Sequence, residues 1–213
     1  MTDAKQTDAL VYLVDDDEAI RDSLGFLFRS RRLAVRDFGS GEALLAALPL
    51  QPLGCIVMDM RMDGLSGLET FDRLKASDVA LPVIFLTGHG DVPVAVEALK
   101  KGAADFVEKP FNDNQLVDTV LDCLARRREE LRDSAIRDEL AGRLRSLSER
   151  EIGVLNLMLE GRLNKQIADD LSISMRTVEV HRARLLEKMG ARNAVELAGA
   201  LKAAGVTPIR RDG

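Results

Sequence analysis

The chain predicts an α/β domain, a five-stranded parallel sheet with helices on both faces, followed by an all-helical module. Three observations predict it. Short β-rich apolar runs alternate with ten-residue helical patterns as far as residue 122, the mark of βα units and a parallel sheet. No proline stands between Pro110 and Pro208, so no residue in that span breaks a helix by lacking its N–H. Helix-capping residues, Ser148, Ser174 and Asn193, recur there ahead of apolar-periodic stretches.

The elements follow in order. The first strand, Leu10-Val-Tyr-Leu-Val14, runs into Asp15-Asp16-Asp17 and a helix near 17–31. A strand near 33–38 precedes a helix near 40–48. The third strand, near 54–58, contains Cys55-Ile-Val-Met58 and stops at Asp59, and a helix near 66–76 follows. The fourth, Val83-Ile-Phe-Leu86 within 82–87, ends on Thr87 before a helix near 91–101. The fifth, near 104–108, leads to Lys109-Pro110 and a helix from Asn112. Five such units make a flavodoxin-like domain, because right-handed crossovers leave few other topologies.

From Asn112, Leu116, Val117, Val120, Leu121 and Leu124 recur at helical spacing. A second stripe, Ile136, Leu140, Leu144 and Leu147, is out of phase with the first and predicts a break or bend near Asp133-Ser134. The charge run Arg126-Arg-Arg-Glu-Glu130 fits either a solvated face of a stiff helical linker or a dimer seam. The expected domains are 1–124, a helical linker 125–146, and 147–213. In the last, Ser148-Glu-Arg-Glu151 is a capping box, with Ile152, Leu155 and Leu159 as the buried face and Gly161 as the stop. Asn164 is expected to cap a short helix carrying Ile167, Ala168 and Leu171. Ser174 caps a longer helix to Met189, and Asn193 a last one to Ala203.

With 46% apolar and 31% charged residues the chain is globular. No apolar stretch approaches the ~20 residues of a spanning helix, and the first residues do not read as a signal peptide; a cytoplasmic protein with no membrane partner is expected. Cys55 and Cys123 lie outside any CxxC spacing and read as reduced, buried, small hydrophobes. Residues 1–122 carry 12 Lys and Arg against 21 Asp and Glu, a net −9, whereas 123–147 and 148–213 each carry +2. An acidic front and a mildly basic back imply different partners.

At the carboxyl edge of a parallel sheet, where open α/β sheets bind ligands, Asp15, Asp16, Asp59, Thr87 and Lys109 would share one pocket. That set suits Mg²⁺, which keeps waters beside one or two carboxylates and a phosphate. Asp16, Asp59 and a backbone carbonyl just beyond Asp59 would hold it, with Asp15 on a bound water. A carboxylate can attack a phosphoryl group, while Lys109 and Thr87 answer the charge on its oxygens.

Residues 10–122 resemble the receiver domain of a two-component response regulator. The matching stretches are Val14-Asp-Asp-Asp17, Asp59-Met-Arg-Met62 with Ser66-Gly67, Thr87-Gly-His-Gly-Asp-Val-Pro93 and Lys101-Gly-Ala-Ala-Asp-Phe-Val-Glu-Lys-Pro-Phe111. The resemblance implies that Asp59 takes phosphate from a sensor histidine kinase. It further implies that Asp15, Asp16, Asp59 and the Arg61 carbonyl serve Mg²⁺, and that Thr87 and Lys109 bind the phosphate. Phe106 is then the aromatic that turns with Thr87, and the Lys109-Pro110 bond is expected to be cis. The Gly-His-Gly-Asp-Val-Pro stretch points to the FixJ-like branch; His89 within it reads as a loop residue without a chemical role. Where the family usually has proline, this chain has Asp63 and then Gly64, which predicts a looser, more acidic loop.

Residues 148–205 resemble the LuxR/NarL-type helix-turn-helix through Leu147-Ser-Glu-Arg-Glu151, Gly161-Arg-Leu-Asn-Lys-Gln-Ile-Ala168 and Ile173-Ser-Met-Arg-Thr-Val-Glu-Val-His181. On the helix after Ser174, Val178, Leu185 and Met189 fall on one side, flanked by His181 as a packing residue. Arg176, Glu179, Val180, Ala183, Arg184 and Glu187 fall on the other. The resemblance places base reading on Glu179, Val180 and Ala183, and phosphate contacts are expected from Lys165, Arg176, Thr177, Arg184 and Lys188. Glu179 either accepts from a cytosine amino group or discourages wrong sites. The implied protein is a transcription regulator, an activator that dimerises on double-stranded DNA when phosphorylated and works with RNA polymerase. A phosphohydrolase is disfavoured because no insertion is long enough for a lid. A flavin-binding domain is disfavoured by carboxylates where it needs small residues.

Overall fold

Five parallel strands, β1 (Leu10–Val14), β2 (Ala34–Phe38), β3 (Gly54–Asp59), β4 (Val83–Thr87) and β5 (Asp105–Glu108), form one sheet in the order β2-β1-β3-β4-β5. The computed structural model describes residues 9–88 and 92–207. His89 and the Gly90-Asp91 part of its motif lie outside the described residues, as do the first eight and last six residues of the expected domains.

The sheet is crossed by α1 (Glu18–Ser30), α2 (Gly41–Ala46), α3 (Gly67–Ala76), α4 (Val92–Lys100) and the start of α5 (Asp113–Arg145). Every residue of β3 and β4 is buried, which is why these strands read as unbroken apolar runs: both faces are covered. Alternate side chains feed two cores. Val11, Leu13, Cys55, Val57, Ile84 and Leu86 pack with Phe28 of α1 and with Leu116, Val120 and Leu124 of α5. Tyr12, Val14, Ile56, Met58 and Phe85 pack with Leu44 of α2, Phe71 of α3 and Ala95 of α4. At the edge, β2 is mostly exposed.

The chain reverses its direction of sheet growth between β1 and β3, which are hydrogen-bonded neighbours. Their carboxyl ends therefore flank the crevice where doubly wound sheets hold ligands. Asp15 follows one strand and Asp59 closes the other.

The chain divides into two compact units between Leu131 and Arg132. The second contains the end of α5, then α6 (Glu149–Leu159), α7 (Asn164–Asp170), α8 (Met175–Met189) and α9 (Ala194–Ala203). Its core gathers Leu140, Leu144, Leu147, Val154, Leu155, Met158, Ile167, Val178, Leu185, Met189, Leu197 and Leu201. The capping box on Ser148 and Glu151 is present, Ser174 and Asn193 cap as expected, and Gly190 closes α8 at φ +66°.

Three local expectations need correction. No break occurs at Asp133-Ser134, since α5 is helical from Asp113 to Arg145. The out-of-phase stripes each answer to a different core, so the phase change needs no interruption. In α6, Val154 and Met158 are buried while Ile152 and Leu159 are only half-buried; a helix packed against α7, α8 and α9 buries a wider arc than one stripe. Asn164 is the first residue of α7 rather than its cap. Leu163 is the cap, and its N–H is satisfied by Gln166 reaching back 2.9 Å.

Candidate functional site

Asp17, the third of the acidic run, is the N-cap of α1 and accepts from the Ala19 N–H at 2.9 Å. That frees Asp15 and Asp16 for the crevice. Asp15 is 1% exposed and accepts from the Asp17 N–H at 2.9 Å. Asp59, 8% exposed, accepts the Arg61 N–H on Oδ2 at 2.7 Å. The Lys109 ammonium binds Asp59 Oδ1 and lies 3.4 Å from Asp15 Oδ2. Lys109 comes from the end of β5, where its N–H donates to the Thr87 carbonyl at 2.7 Å, and its bond to Pro110 is cis. One cation thus bridges both buried carboxylates.

The electrostatics follow from burial. Desolvation pushes the Asp15 carboxyl above its ordinary value, against the Asp17 N–H and the Lys109 charge. Burial also works against the Lys109 ammonium, but the hydrogen bond and charge of Asp59, with those of Asp15, hold its pKa above normal.

Thr87 is fully buried, with its hydroxyl donating to the Gly88 carbonyl at 3.3 Å. Phe106 is half-buried beside the second core. Asp16 is exposed, and its Oδ2 accepts the Asp63 N–H at 2.9 Å. Arg61 meets Asp59 through its backbone N–H. Among the described residues no three carboxylate, imidazole or thiolate groups stand gathered as a complete metal cage. The donor set nevertheless fits Mg²⁺, which takes few protein carboxylates and fills its remaining positions with water and phosphate.

Four further features were not read from the sequence. Arg21 of α1 donates from one Nη1 to the carbonyls of Asp15 and Asp16, at 2.8 and 3.0 Å, fixing the acidic turn. Glu42 accepts the Leu65 N–H at 3.1 Å. With the Asp63–Asp16 bond this ties the 63–65 loop on two sides, so the absence of proline there does not leave it unattached. Gly67 opens α3 with its N–H on the Met60 carbonyl at 3.0 Å, and a Cβ there would lie 2.3 Å from the Asp59 carbonyl oxygen. The fourth feature is that Cys55 and Cys123, both free, buried thiols, share the first core. A glycine in a Ser-Gly pair was the only visible signal among these; backbone acceptors leave no trace in a sequence.

In the second unit, α7 and α8 form a helix-turn-helix, with Ser172 at φ +54° in the turn. Val178, Leu185 and Met189 are buried as expected. Arg176, Glu179, Val180, Ala183, Arg184 and Glu187 are exposed together on α8, Val180 at 41%, and Lys165 is exposed on α7. Thr177 is half-buried and shares a 2.8 Å hydrogen bond with Ser174. Lys188 stands apart from that face: its ammonium is 2.7 Å from Glu151, which is 3% exposed. His181 is half-buried, and its Nδ1 has no hydrogen-bond partner.

Comparison with known proteins adds two family matches. Residues 11–121 match the response regulator receiver domain, and residues 145–200 match the bacterial regulatory proteins of the luxR family. The C4-dicarboxylate transport transcriptional regulatory protein DctR of Rhodobacter capsulatus is 56% identical over 190 residues, covering 88% of this chain and 96% of DctR. The transcriptional regulatory protein FixJ of Azorhizobium caulinodans is 49% identical, covering 93% and 94%. Among solved structures, the response regulator StyR superposes with a TM-score of 0.83 at 37% identity, covering 91% of this chain and 98% of StyR. Full-length FixJ from B. japonicum gives 0.61 at 43%, covering 93% and 98%.

Proposed function

The chain belongs to the response regulators that join a receiver domain to a LuxR-type DNA-binding domain, transcription regulators of two-component systems rather than enzymes, and from that premise we propose that phosphorylation of Asp59 by a sensor histidine kinase controls its affinity for DNA. The observation that carries this is the Lys109 ammonium bound to Asp59 and 3.4 Å from Asp15. It lies at the position where a phosphoryl group on Asp59 would bring new negative charge.

An Asp59 carboxylate oxygen attacks phosphorus, the new P–O bond forms, and the P–N bond to the kinase imidazole breaks. The Arg61 N–H holds Oδ2 and so orients the attack. Lys109 then exchanges its bond to the carboxylate for one to a phosphoryl oxygen. Thr87 turns its hydroxyl from the Gly88 carbonyl to another, and Phe106 moves into the space this leaves. Receiver domains generally bind Mg²⁺ at this site; here Asp15, Asp16, Asp59 and the Arg61 carbonyl would hold it, and when bound it neutralises charge on the transferring oxygens. Arg21 keeps Asp15 and Asp16 in place throughout.

The moved Thr87 and Phe106 reshape the surface of α4, β5 and α5, where Val96 is 39% exposed. That surface pairs two phosphorylated copies and brings two α8 helices to half-sites about one DNA turn apart. Glu179, Val180 and Ala183 read bases in the major groove, and Lys165, Arg176, Thr177 and Arg184 contact phosphates. Lys188, assigned to a phosphate from the sequence, is committed to Glu151 and serves to hold α8. The bound dimer activates transcription in the cytoplasm through contact with RNA polymerase. Among the described residues no helix is long and apolar enough to cross a membrane.

The test is phosphorylation by an acyl phosphate with Mg²⁺, read by intact mass, followed by operator binding. Wild type gains one phosphoryl group and binds more tightly; Asp59→Asn does neither. Equal gain of phosphate by Asp59→Asn would remove the assignment.

A further inference from the structure

Helix α8 is fixed at its last residue by a side chain of α5. At that end the Leu186 and Glu187 carbonyls accept from the Ala191 and Gly190 N–H groups, each at 3.0 Å. The Met189 carbonyl accepts instead from Arg143 Nη1 at 2.7 Å. Glu139, one turn earlier on α5, accepts from Nη2 of the same guanidinium at 2.7 Å and so holds its plane. Gly190 gives the approach its room, because a Cβ there would collide with Nη1. Arg137 acts alike on α9, donating from Nε to the Ala204 carbonyl at 3.2 Å. Both arginines stand ahead of residue 145, where the luxR-family match begins. Leu140 and Leu144 of the same segment are buried in the core of the second unit.

We infer that Arg143 is a positioning residue for DNA reading, setting the end of α8 so that its exposed face meets base edges in register. The inference rests on α8 being the reading helix. A guanidinium suits the task for two reasons. Its charge complements the partial negative charge at a helix C-terminus. Its rigid fork spans two acceptors at once, here on two helices.

The geometry says what its loss would do. Helix α8 has 15 residues, so a tilt of a few degrees moves its ends by on the order of 1 Å. Hydrogen bonds to base edges do not survive such a shift, whereas long side chains on phosphates adjust to it. Without Arg143 the Met189 carbonyl can turn to water, so the helix stays folded but is less firmly aimed. Specific binding falls and non-specific binding is spared.

The test uses the full-length protein, with wild type and variants prepared alike. The probes are a duplex that wild type enriches from a random-sequence pool and a scrambled duplex of the same length. Fluorescence anisotropy gives both affinities across a salt series, and circular dichroism gives the folded fraction at the assay temperature. Arg143→Ala is expected to bind the enriched duplex about fivefold more weakly, the lower end of what one lost base contact costs. The scrambled duplex and the salt slope are expected to stay unchanged. Arg143→Lys keeps a donor and a charge at the Met189 carbonyl and restores most of the loss; it decides the matter if the alanine variant is too unstable to assay. Full discrimination by Arg143→Ala would overturn the proposal, as would a loss that disappears once affinity is corrected for folded fraction. A salt slope flattened by about one would make Arg143 a phosphate contact instead. Glu179→Ala is read separately. If it enriches the same sequence as wild type, α8 is not the reading helix, a failure distinct from an Arg143→Ala variant that discriminates normally.

Discussion

The Asp63 N–H donates to the Asp16 carboxylate across 2.9 Å, a bond that a proline at 63 has no hydrogen to make. The chain's departure from the family's proline therefore attaches the loop to a candidate Mg²⁺ ligand. Asp63→Asn keeps the N–H and removes a charge; Asp63→Pro removes both. Titration with Mg²⁺ is expected to show weaker binding for Asn and a further loss for Pro of about 1 kcal/mol, the usual worth of such a bond. Tighter binding by the proline variant would mean that the hydrogen bond competes with the ion.

Burial raises the Asp15 carboxyl, so its charged form opposes folding. That cost is absent below the unfolded value of about 3.9 and is complete once pH has risen through the higher folded value. Without Mg²⁺, Asp15→Asn is expected to melt higher than wild type at pH 7, with the gain shrinking toward pH 4. Lys109 has the opposite dependence: its raised pKa adds stability below about 10.4 that is lost as pH climbs through the folded value. Melting curves across pH test both signs.

Glu151 is nearly buried and accepts from the Ser148 N–H, the Ser148 hydroxyl and Lys188. Burial acts against its charge, but Lys188 and Ser148 outweigh it and lower its pKa. The stability this supplies is present above about 4.3 and disappears as pH falls through the lower folded value. Lys188→Ala, which strands the carboxylate, is expected to cost about 2 kcal/mol, and Glu151→Gln about 1 kcal/mol, because Lys188 is itself part-exposed. Urea unfolding at pH 7 should rank them in that order.

Arg184 and Lys165 are exposed near the recognition face. Each change to alanine should weaken binding to every DNA sequence and flatten the dependence of log K on log salt by about one. Glu179→Ala should instead change which sequences bind. An unaltered salt slope for Arg184→Ala would place that side chain away from the phosphates.

A methyl group on Gly67 would meet the Asp59 carbonyl oxygen at 2.3 Å and the Met60 Cα at 3.1 Å, both backbone atoms that yield only if the end of β3 moves. Gly67→Ala should cost about 1–3 kcal/mol and slow phosphorylation of Asp59, measured with an acyl phosphate.

What the sequence made legible was whatever depends on strand ends. Parallel strands put their carboxyl termini on one edge, so Asp15, Asp59, Thr87 and Lys109 could be grouped before any coordinates, and the buried side of α8 followed from its period. What it hid depends on reach. The Arg21 guanidinium finds backbone carbonyls, and the Asp63 N–H finds a side chain across 47 residues. Cys55 and Cys123 fall in one core only because a strand and a helix pack together. Lys188 looked like a free cation because the buried carboxylate that claims it lies on another helix.

Leu124 closes the first core and Leu140 opens the last one, and between them the side chains of α5 are exposed or half-exposed. A recombination event that trades one output module for another can join genes anywhere in that solvent-washed stretch without wounding either core. A junction at the end of the helix would instead strip Leu140 and Leu144 from the module being acquired, so lineages that shuffle these parts should carry their crossovers before Leu140.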